Sequence, residues 1–213
     1  MKRLLPLLTA LALAACGKPE APYTQESYVF GTRVQLAIWG IPQAKARQAA
    51  AAVLSDLDRL HGKLHAWKPG QLTALNRGFA NGPAPQPADA ELRGLLLQAQ
   101  DYARRSDQLF NPAIGKLVAA WGFHADQFAP HRPEPATLAA LLAARPTLDD
   151  LAFDTDSVSS RNPAVQIDLG GLAKGWALDR EIDYLRRQGI SNALLNIGGN
   201  VRAIGSKGGS PWS

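Results

Sequence analysis

The sequence predicts an α+β fold in which helices pack on a mixed β-sheet. Three features predict it: segments with apolar residues at three- and four-residue steps, segments with alternating apolar residues, and glycine- or proline-rich joints between them. The chain has 213 residues, of which 46% are apolar and 19% charged, so it can bury a core and does not belong to the disordered class. Its single cysteine excludes an internal disulfide and a cysteine-based zinc finger. The basic residues are scattered, which argues against a nucleic-acid partner.

The first fifteen residues have the pattern of a bacterial lipoprotein export signal. Lys2 and Arg3 precede an apolar stretch that is too short to span a membrane. The stretch ends in Leu-Ala-Ala-Cys, a lipobox, so Cys16 is the expected site of lipidation. A plain secretory signal with an incidental cysteine is the alternative, and the choice between inner and outer membrane stays open. We therefore expect a signal peptide over residues 1–15, a lipidated cysteine and tether over 16–26, and a domain over 27–213 that faces the periplasm.

The first half of the domain is predicted to contain one strand and two long helices. Alternating apolar side chains predict a strand over residues 28–39. A helix is predicted over 42–65, because a proline suits its first turn and apolar residues recur at helical steps. The Pro- and Gly-rich residues 82–87 form a surface loop, and a second amphipathic helix follows over 89–105, with Asp89 as its N-cap.

The second half is predicted to end in a βαβ-like unit. A short Ala- and Leu-rich helix over residues 135–145 comes first. Residues 164–169 are predicted as a buried strand, 175–188 as a helix stopped by Gly189, and 192–197 as a further strand. The glycines of this unit lie at the turn from strand to helix, so that turn is the expected place for chemistry.

The turn reads IDLGGLAKGWALD and has the composition of an anion or nucleotide cradle. Asp168 ends the predicted strand, Gly170 and Gly171 allow close approach of a ligand to the backbone, and Lys174 lies near a helix N-terminus that favours phosphate. The spacing is not that of a Rossmann fingerprint or a Walker A loop. Taken alone, the turn also suits a tight connection without a ligand.

Other candidates are weaker when read one at a time. His61 and His65 have a spacing seen in metal sites, but no third ligand accompanies them, so a packed or solvated pair is favoured. Residues 121–124 suit core aromatics followed by a turn, and the acidic residues of 149–156 suit a solvated loop. Residues 196–200 suit a hairpin turn. No G-x-S-x-G motif supports Ser/His/Asp catalysis.

Five blocks in one order give a more specific indication: YVFGTRVQLAIWG, LTALN, LFNPAIGKLVAAWGF, IDLGGLAKGWALD and NALLNIGGNVRAIG. This succession resembles the ApbE family of exported FAD:protein FMN transferases and covers about residues 28–212. The resemblance implies a two-lobed domain with a ligand cleft, binding of FAD and Mg²⁺, and cleavage of the FAD pyrophosphate. It implies attachment of FMN to a Thr or Ser hydroxyl of a target protein, with release of AMP. The targets in this family are typically subunits of membrane redox complexes.

The resemblance also implies roles for individual residues. Phe30 stands where the family usually has the Met of an M-G-T motif, and Asn111 stands where Asp is usual. Trp67 is the implied counterpart of an aromatic residue that covers the ring system, and the backbone carbonyl of Gly171 is an implied Mg²⁺ ligand. The implied FAD-contacting residues are Phe30, Trp67, Leu109, Phe110, Asn111, Asp168, Lys174, Asn196, Gly198 and Gly199.

Family members usually continue for roughly another hundred residues. That part carries a histidine near an I-x-D-P-x-T-G motif and the Thr and Asp residues that complete the Mg²⁺ site. The chain is therefore expected to be truncated at its C-terminus, to lack the catalytic residues and remaining metal ligands, and to have little activity alone. The alternatives left open are a non-catalytic lipoprotein that binds a flavin nucleotide and a purely structural lipoprotein.

Overall fold

The computed structural model describes residues 21–127, 129 and 131–212, so the predicted signal peptide and Cys16 lie outside the described residues. The α+β class is confirmed, but the named strands all pair antiparallel, so the expected mixed sheet is wrong. The helices are α1 (Gln43–Leu64), α2 (Gln71–Asn81), α3 (Ala90–Arg105), α4 (Gly115–Ala120), α5 (Pro135–Ala144) and α6 (Ala173–Arg187). The strands are β1 (Tyr23–Val29), β2 (Thr32–Ile38), β3 (Gln86–Pro87), β4 (Leu151–Phe153), β5 (Ser157–Ser160), β6 (Ala193–Ile197) and β7 (Asn200–Ile204).

β1 and β2 form a hairpin where the sequence predicts a tether and a single strand. Val29 pairs with Thr32, and the two turn residues Phe30 and Gly31 both have positive φ, 54° and 68°. Such a two-residue turn usually carries Asn-Gly or Asp-Gly, so Phe-Gly gave no hairpin signal. The predicted tether is wrong for residues 23–26, which lie in β1.

The first sheet has the strand order β1-β2-β6-β7, and α1 and α6 pack against it. The inward side chains of β2 and β6 alternate with partly exposed ones, as expected for a sheet with one covered face. The hairpin turn predicted between β6 and β7 is confirmed. The first hydrophobic core includes Val34, Leu36, Ile38, Val53, Leu57, Ile182, Leu185, Leu195 and Ile197.

The second core lies around α2 and α3 and beside the small sheet β3-β5-β4. Its largest side chains include Phe79, Leu72, Leu75, Leu92, Leu95, Leu96, Leu148 and Ile167. Residues 164–169, predicted as a strand, belong to neither sheet. Gln166 and Asp168 donate backbone hydrogen bonds to Ala113 and Pro112, at 3.1 and 2.8 Å. The predicted βαβ-like unit is therefore wrong, because within the described residues β6 pairs with β2 and β7 and not with residues 164–169.

The predicted helices are confirmed with small shifts at their ends. α1 follows Pro42, and the Asp89 side chain caps α3 by accepting a hydrogen bond from the backbone N–H of Leu92 at 2.9 Å. α6 begins two residues before the predicted start, and α2 is a helix that the sequence pattern does not predict. Within the described ranges, no helix is both long and apolar enough to cross a bilayer.

Candidate functional site

A cleft of ≈ 520 Å³ opens where residues of the two cores meet. Its walls come from the β1–β2 turn, the end of α1 with the loop that follows, and the turn into α6. Cavities of this size are typical of sites for small molecules and cofactors. Four residues predicted for the site line this cleft together: Phe30, Trp67, Asp168 and Lys174.

One wall of the cleft is a row of aromatic and imidazole rings. The ring of Phe30 meets that of His61 edge-on at 5.5 Å between centroids, and His61 meets His65 at 5.1 Å. His65 in turn meets Trp67 at 4.3 Å, again edge-on. Edge-to-face packing fixes ring orientation. The row therefore connects the β1–β2 turn to the loop after α1 and presents an ordered wall to a ligand.

His65 is held at the end of α1 by hydrogen bonds to its ring. Its Nδ1 accepts the backbone N–H groups of Lys68 and Trp67, at 3.1 and 3.4 Å. Burial lowers the pKa of His65, and its electrostatic interactions with His61 and Lys68 act in the same direction. The imidazole is therefore neutral at neutral pH and fixes the direction of the chain leading to Trp67.

Asp168 supplies a carboxylate to the cleft. Its Oδ2 lies 2.8 Å from Nε2 of His124, and its Oδ1 accepts the backbone N–H of Gly170 at 2.8 Å. The hydrogen bond from His124 lowers the pKa of Asp168, and this outweighs burial, which acts in the opposite direction. Asp168 is therefore ionised at neutral pH and its oxygens can only accept hydrogen bonds.

Two lysines border the cleft. Lys174 lies in the first turn of α6, where the unpaired backbone N–H groups of a helix favour anions, and its Nζ is 3.5 Å from the carbonyl oxygen of Gly170. Lys68 is paired with Asp126 at 2.9 Å. Lys174 is thus the cation that the cleft offers to a phosphate group.

The predicted residues around Asn111 lie elsewhere. Leu109 is 91% exposed and lies outside the cleft lining. Phe110 packs beside Gly171, where an added Cβ would be 3.5 Å from the Phe110 ring. The side chain of Asn111 donates to the carbonyl of Pro146 at 2.9 Å and accepts the N–H of Ala113 at 3.0 Å. Its amide therefore holds the local chain, where the sequence comparison implied a hydrogen bond to the ligand.

Gly171 and the second glycine pair also lie outside the cleft lining. Gly171 borders a neighbouring groove of ≈ 360 Å³, together with Asn200. Asn196 accepts the N–H of Gly199 across the β6–β7 turn at 2.9 Å. A Cβ on Gly198 would lie 2.6 Å from the Thr32 side chain, so this turn packs directly against the start of β2.

Three site residues were missed in the sequence. His61 and His65 line the cleft, although their spacing favoured a packed or solvated pair. His124, predicted as part of a core aromatic segment and turn, contacts Asp168, which is 44 residues away in the chain. The i,i+4 spacing could have indicated the first two, but no local pattern indicates the third.

The described residues do not by themselves form a metal centre. Within them, no group of three or more His, Cys, Asp or Glu side chains lies close enough to hold an ion. The predicted contribution of the Gly171 carbonyl to a Mg²⁺ site stays a prediction.

Comparison with known proteins identifies the family. The ApbE family model matches residues 30–213. The chain belongs to the ApbE family. An ApbE relative from Rhodobacter capsulatus, named FAD:protein FMN transferase, is 43% identical over 194 residues, which are 91% of this chain and 37% of that protein. A Klebsiella pneumoniae protein of the same name is 31% identical over 86% of this chain and 56% of its own length. The chain thus spans between about a third and just over half of these two relatives.

Solved ApbE structures share the fold. The ApbE protein of Thermotoga maritima superimposes with a TM-score of 0.77 at 28% identity, over 89% of this chain and 60% of its own. The flavin transferase ApbE of Vibrio cholerae gives a TM-score of 0.78 at 23% identity, over 91% of this chain and 63% of its own. The second likeness speaks for the fold alone.

Proposed function

We propose that this chain forms the FAD-binding side of an FAD:protein FMN transferase. The observation that carries the proposal is the convergence of Phe30, Trp67, Asp168 and Lys174 on one cleft. We further propose that the protein is lipidated at Cys16, is held on a membrane of the bacterial envelope and faces the periplasm. Its partner is then a redox protein of a membrane complex with an acceptor Thr or Ser.

The cleft suits the flavin part of FAD. A planar isoalloxazine ring needs aromatic faces or edges beside it, and the row from Phe30 to Trp67 provides them. Trp67 is 41% exposed although it packs on two imidazoles, so part of its ring is available to a ligand. The Asp168 carboxylate can accept hydrogen bonds from the hydroxyl or N–H groups of the nucleotide.

The turn into α6 suits the diphosphate. Lys174 brings a positive charge to the first helical turn, close to the Gly170 backbone. Charge and backbone N–H groups together favour phosphate oxygens at such a position.

Mg²⁺ fits the described residues only in part, because they contain no cluster of three metal-ligating side chains. Mg²⁺ usually keeps several waters and takes oxygens from substrate phosphates, and the backbone carbonyl of Gly171 would be one protein ligand on this side. When bound, the ion would offset negative charge on the pyrophosphate.

In the proposed reaction, the acceptor hydroxyl forms a P–O bond to the FMN phosphate while the bond to the AMP phosphate breaks. AMP leaves and the hydroxyl proton passes to a base. The residues of this chain act by positioning: the ring wall holds the flavin, and Lys174 neutralises charge on the phosphates. Positioning and charge neutralisation are the main requirements of phosphoryl-type transfer.

The test is a single-turnover assay with the 213-residue chain in excess over FAD, so that a single round of transfer can be detected. FAD, Mg²⁺ and a purified acceptor protein are mixed, and AMP and acceptor-bound FMN are measured by chromatography and mass spectrometry. AMP and labelled acceptor are expected in equal, small amounts that disappear when Mg²⁺ is removed, and robust turnover would contradict the expectation of little activity from this chain alone.

The second candidate is a flavin-nucleotide-binding module without transfer activity, which the incomplete metal site of the described residues favours. Tight FAD binding without AMP release would support this candidate. Absence of FAD binding would contradict both.

A further inference from the structure

His124 lies in the segment between α4 and α5 and contacts two residues that line the cleft, Asp168 and Trp67. Its side chain is only 8% exposed, and its Nε2 lies 2.8 Å from Oδ2 of Asp168, which is itself 16% exposed. Because the ionised carboxylate can only accept, Nε2 carries the hydrogen and donates it. A short hydrogen bond to a charged, largely buried acceptor is among the stronger kinds.

The same imidazole covers Trp67. The two rings are stacked, with centroids 5.2 Å apart and planes 22° from parallel. Trp67 meets His65 with its ring plane nearly perpendicular to that imidazole, at 81°. The stacked ring of His124 and the nearly perpendicular ring of His65 therefore position the indole of Trp67.

The Asp168 carboxylate is held at both oxygens. His124 occupies Oδ2 and the backbone N–H of Gly170 occupies Oδ1, so rotation of the carboxylate would break one of two hydrogen bonds. The Gly170 contact comes from the adjacent turn, whereas the His124 contact comes from a segment 44 residues away. His124 therefore joins Asp168 to Trp67 of the aromatic wall.

We propose that His124 is a positioning residue of the flavin cleft: it fixes the Asp168 carboxylate through its Nε2–H and holds the Trp67 ring by stacking. The proposal rests on the proposed function, since it concerns the FAD cleft. It predicts that the hydrogen bond and the ring surface of His124 have separate, measurable effects.

Two substitutions separate those effects. His124→Gln keeps an N–H donor in place of Nε2 and removes the ring. His124→Phe keeps a ring and removes the donor. His131→Gln is the matched control, because His131 is an exposed histidine of the same segment, whereas the His124 side chain is buried.

The first measurement is FAD affinity by calorimetry on the 213-residue chain. We expect His124→Phe to weaken FAD binding at least tenfold and His124→Gln to weaken it no more than about threefold. His131→Gln should leave the affinity for FAD unchanged. Rescue by the donor-bearing variant distinguishes orientation of Asp168 from a general packing role. An unchanged affinity of His124→Phe, or equal losses in both variants, would overturn the proposal.

The second measurement needs no flavin. Acrylamide quenching of Trp67 is obtained as the difference between each variant and the same variant with Trp67→Phe. We expect greater quenching in His124→Gln, where the covering ring is lost, and no increase in His124→Phe. Equal quenching in wild type and His124→Gln would overturn the proposal. If the wild-type chain binds no FAD, the proposed function fails, while this measurement still decides whether His124 positions Trp67.

Discussion

Phe30 combines an unfavourable backbone conformation with a place in the cleft wall. Its φ of 54° is rare for a bulky residue, and positions of this kind cost about 1–3 kcal/mol. The ring packs against both hydrophobic cores and meets His61 edge-on. Backbone strain held by surrounding structure is common at ligand sites, so the conformation of Phe30 supports a functional role for this turn.

Asp168 gives the most direct residue-level prediction. We expect Asp168→Ala to weaken FAD binding at least tenfold, because hydrogen bonds to a charged group contribute about 1.5–3 kcal/mol. Isothermal titration with FAD measures the effect. Asp154→Ala is the control, since Asp154 is an exposed acid in the turn between β4 and β5. An affinity within twofold of wild type would remove Asp168 from the site.

The sequence predicts those site residues that belong to a local pattern, and it does not predict those that depend on contacts between distant parts of the chain. Asp168 and Lys174 were predictable because glycines, an acid and a lysine share one short turn. His124 was not, because its partner is distant in the chain. Asn111 makes hydrogen bonds to nearby backbone groups, which composition does not reveal, and its implied contact with FAD stays a prediction.

The extended segment 164–169 positions Asp168 without belonging to a sheet. Asn76 of α2 donates to the carbonyl of Ile167 at 2.9 Å and accepts its N–H at 2.7 Å. The Asn76 side chain thus replaces a neighbouring strand at this point. On the other side, backbone hydrogen bonds join the segment to Pro112 and Ala113.

Asn76→Ala should therefore loosen this segment. It leaves the N–H and C=O of Ile167 without their partner in a buried place, where an unsatisfied group costs about 1–3 kcal/mol. We expect the free energy of unfolding to fall by about 2–3 kcal/mol, measured by urea denaturation. Asn81→Ala, at the exposed end of the same helix, should change it by no more than about 0.5 kcal/mol. An equal effect of the two substitutions would show that the hydrogen bonds between Asn76 and Ile167 do not stabilise the fold.

Elements were predictable where the pattern is local. α1, α3 and α6 have apolar side chains at helical steps and bury those same residues. Residues 164–169 are apolar and alternating like a strand, but a strand is defined by its neighbours, and these are a side chain and a loop. The β1–β2 hairpin was missed because its turn lacks the usual residues.

At the scale of the whole molecule, a network of ion pairs connects the helices α1, α3 and α6. Arg180 of α6 contacts Asp56 of α1 at 2.8 Å and Glu91 of α3 at 3.0 Å, and Arg59 of α1 contacts Glu91 at 2.8 Å. Beside this network lies Glu181, which is 2% exposed. Burial, together with the hydrogen bond to Asp56 and its negative charge, raises the pKa of Glu181 to about 8.

The raised pKa predicts a stability that depends on pH. The ordinary pKa of a glutamate side chain is 4.5. Between pH 4.5 and about 8, Glu181 therefore carries a proton in the folded chain but has lost it in the unfolded chain. Stability must fall as pH rises through this interval. Glu181→Gln has no proton to lose and should be more stable than wild type at pH 8 by about 4 kcal/mol, given a pKa raised from 4.5 to about 8 and about 1.4 kcal/mol per pKa unit.

Thermal denaturation between pH 5 and pH 8 checks this prediction. The difference between Glu181→Gln and wild type should be small at pH 5 and grow toward pH 8. Glu134→Gln, which changes an exposed glutamate before α5, should follow wild type throughout. Parallel curves for wild type and Glu181→Gln would show that Glu181 does not hold its proton in the folded chain.

The central claim is that the cleft between the two cores holds FAD, and a crystal structure of the chain with FAD tests it most directly. We expect the isoalloxazine ring beside Phe30 and Trp67 and the diphosphate near Lys174, at the turn into α6. A flavin bound instead in the neighbouring groove beside Gly171 and Asn200 would contradict the claim.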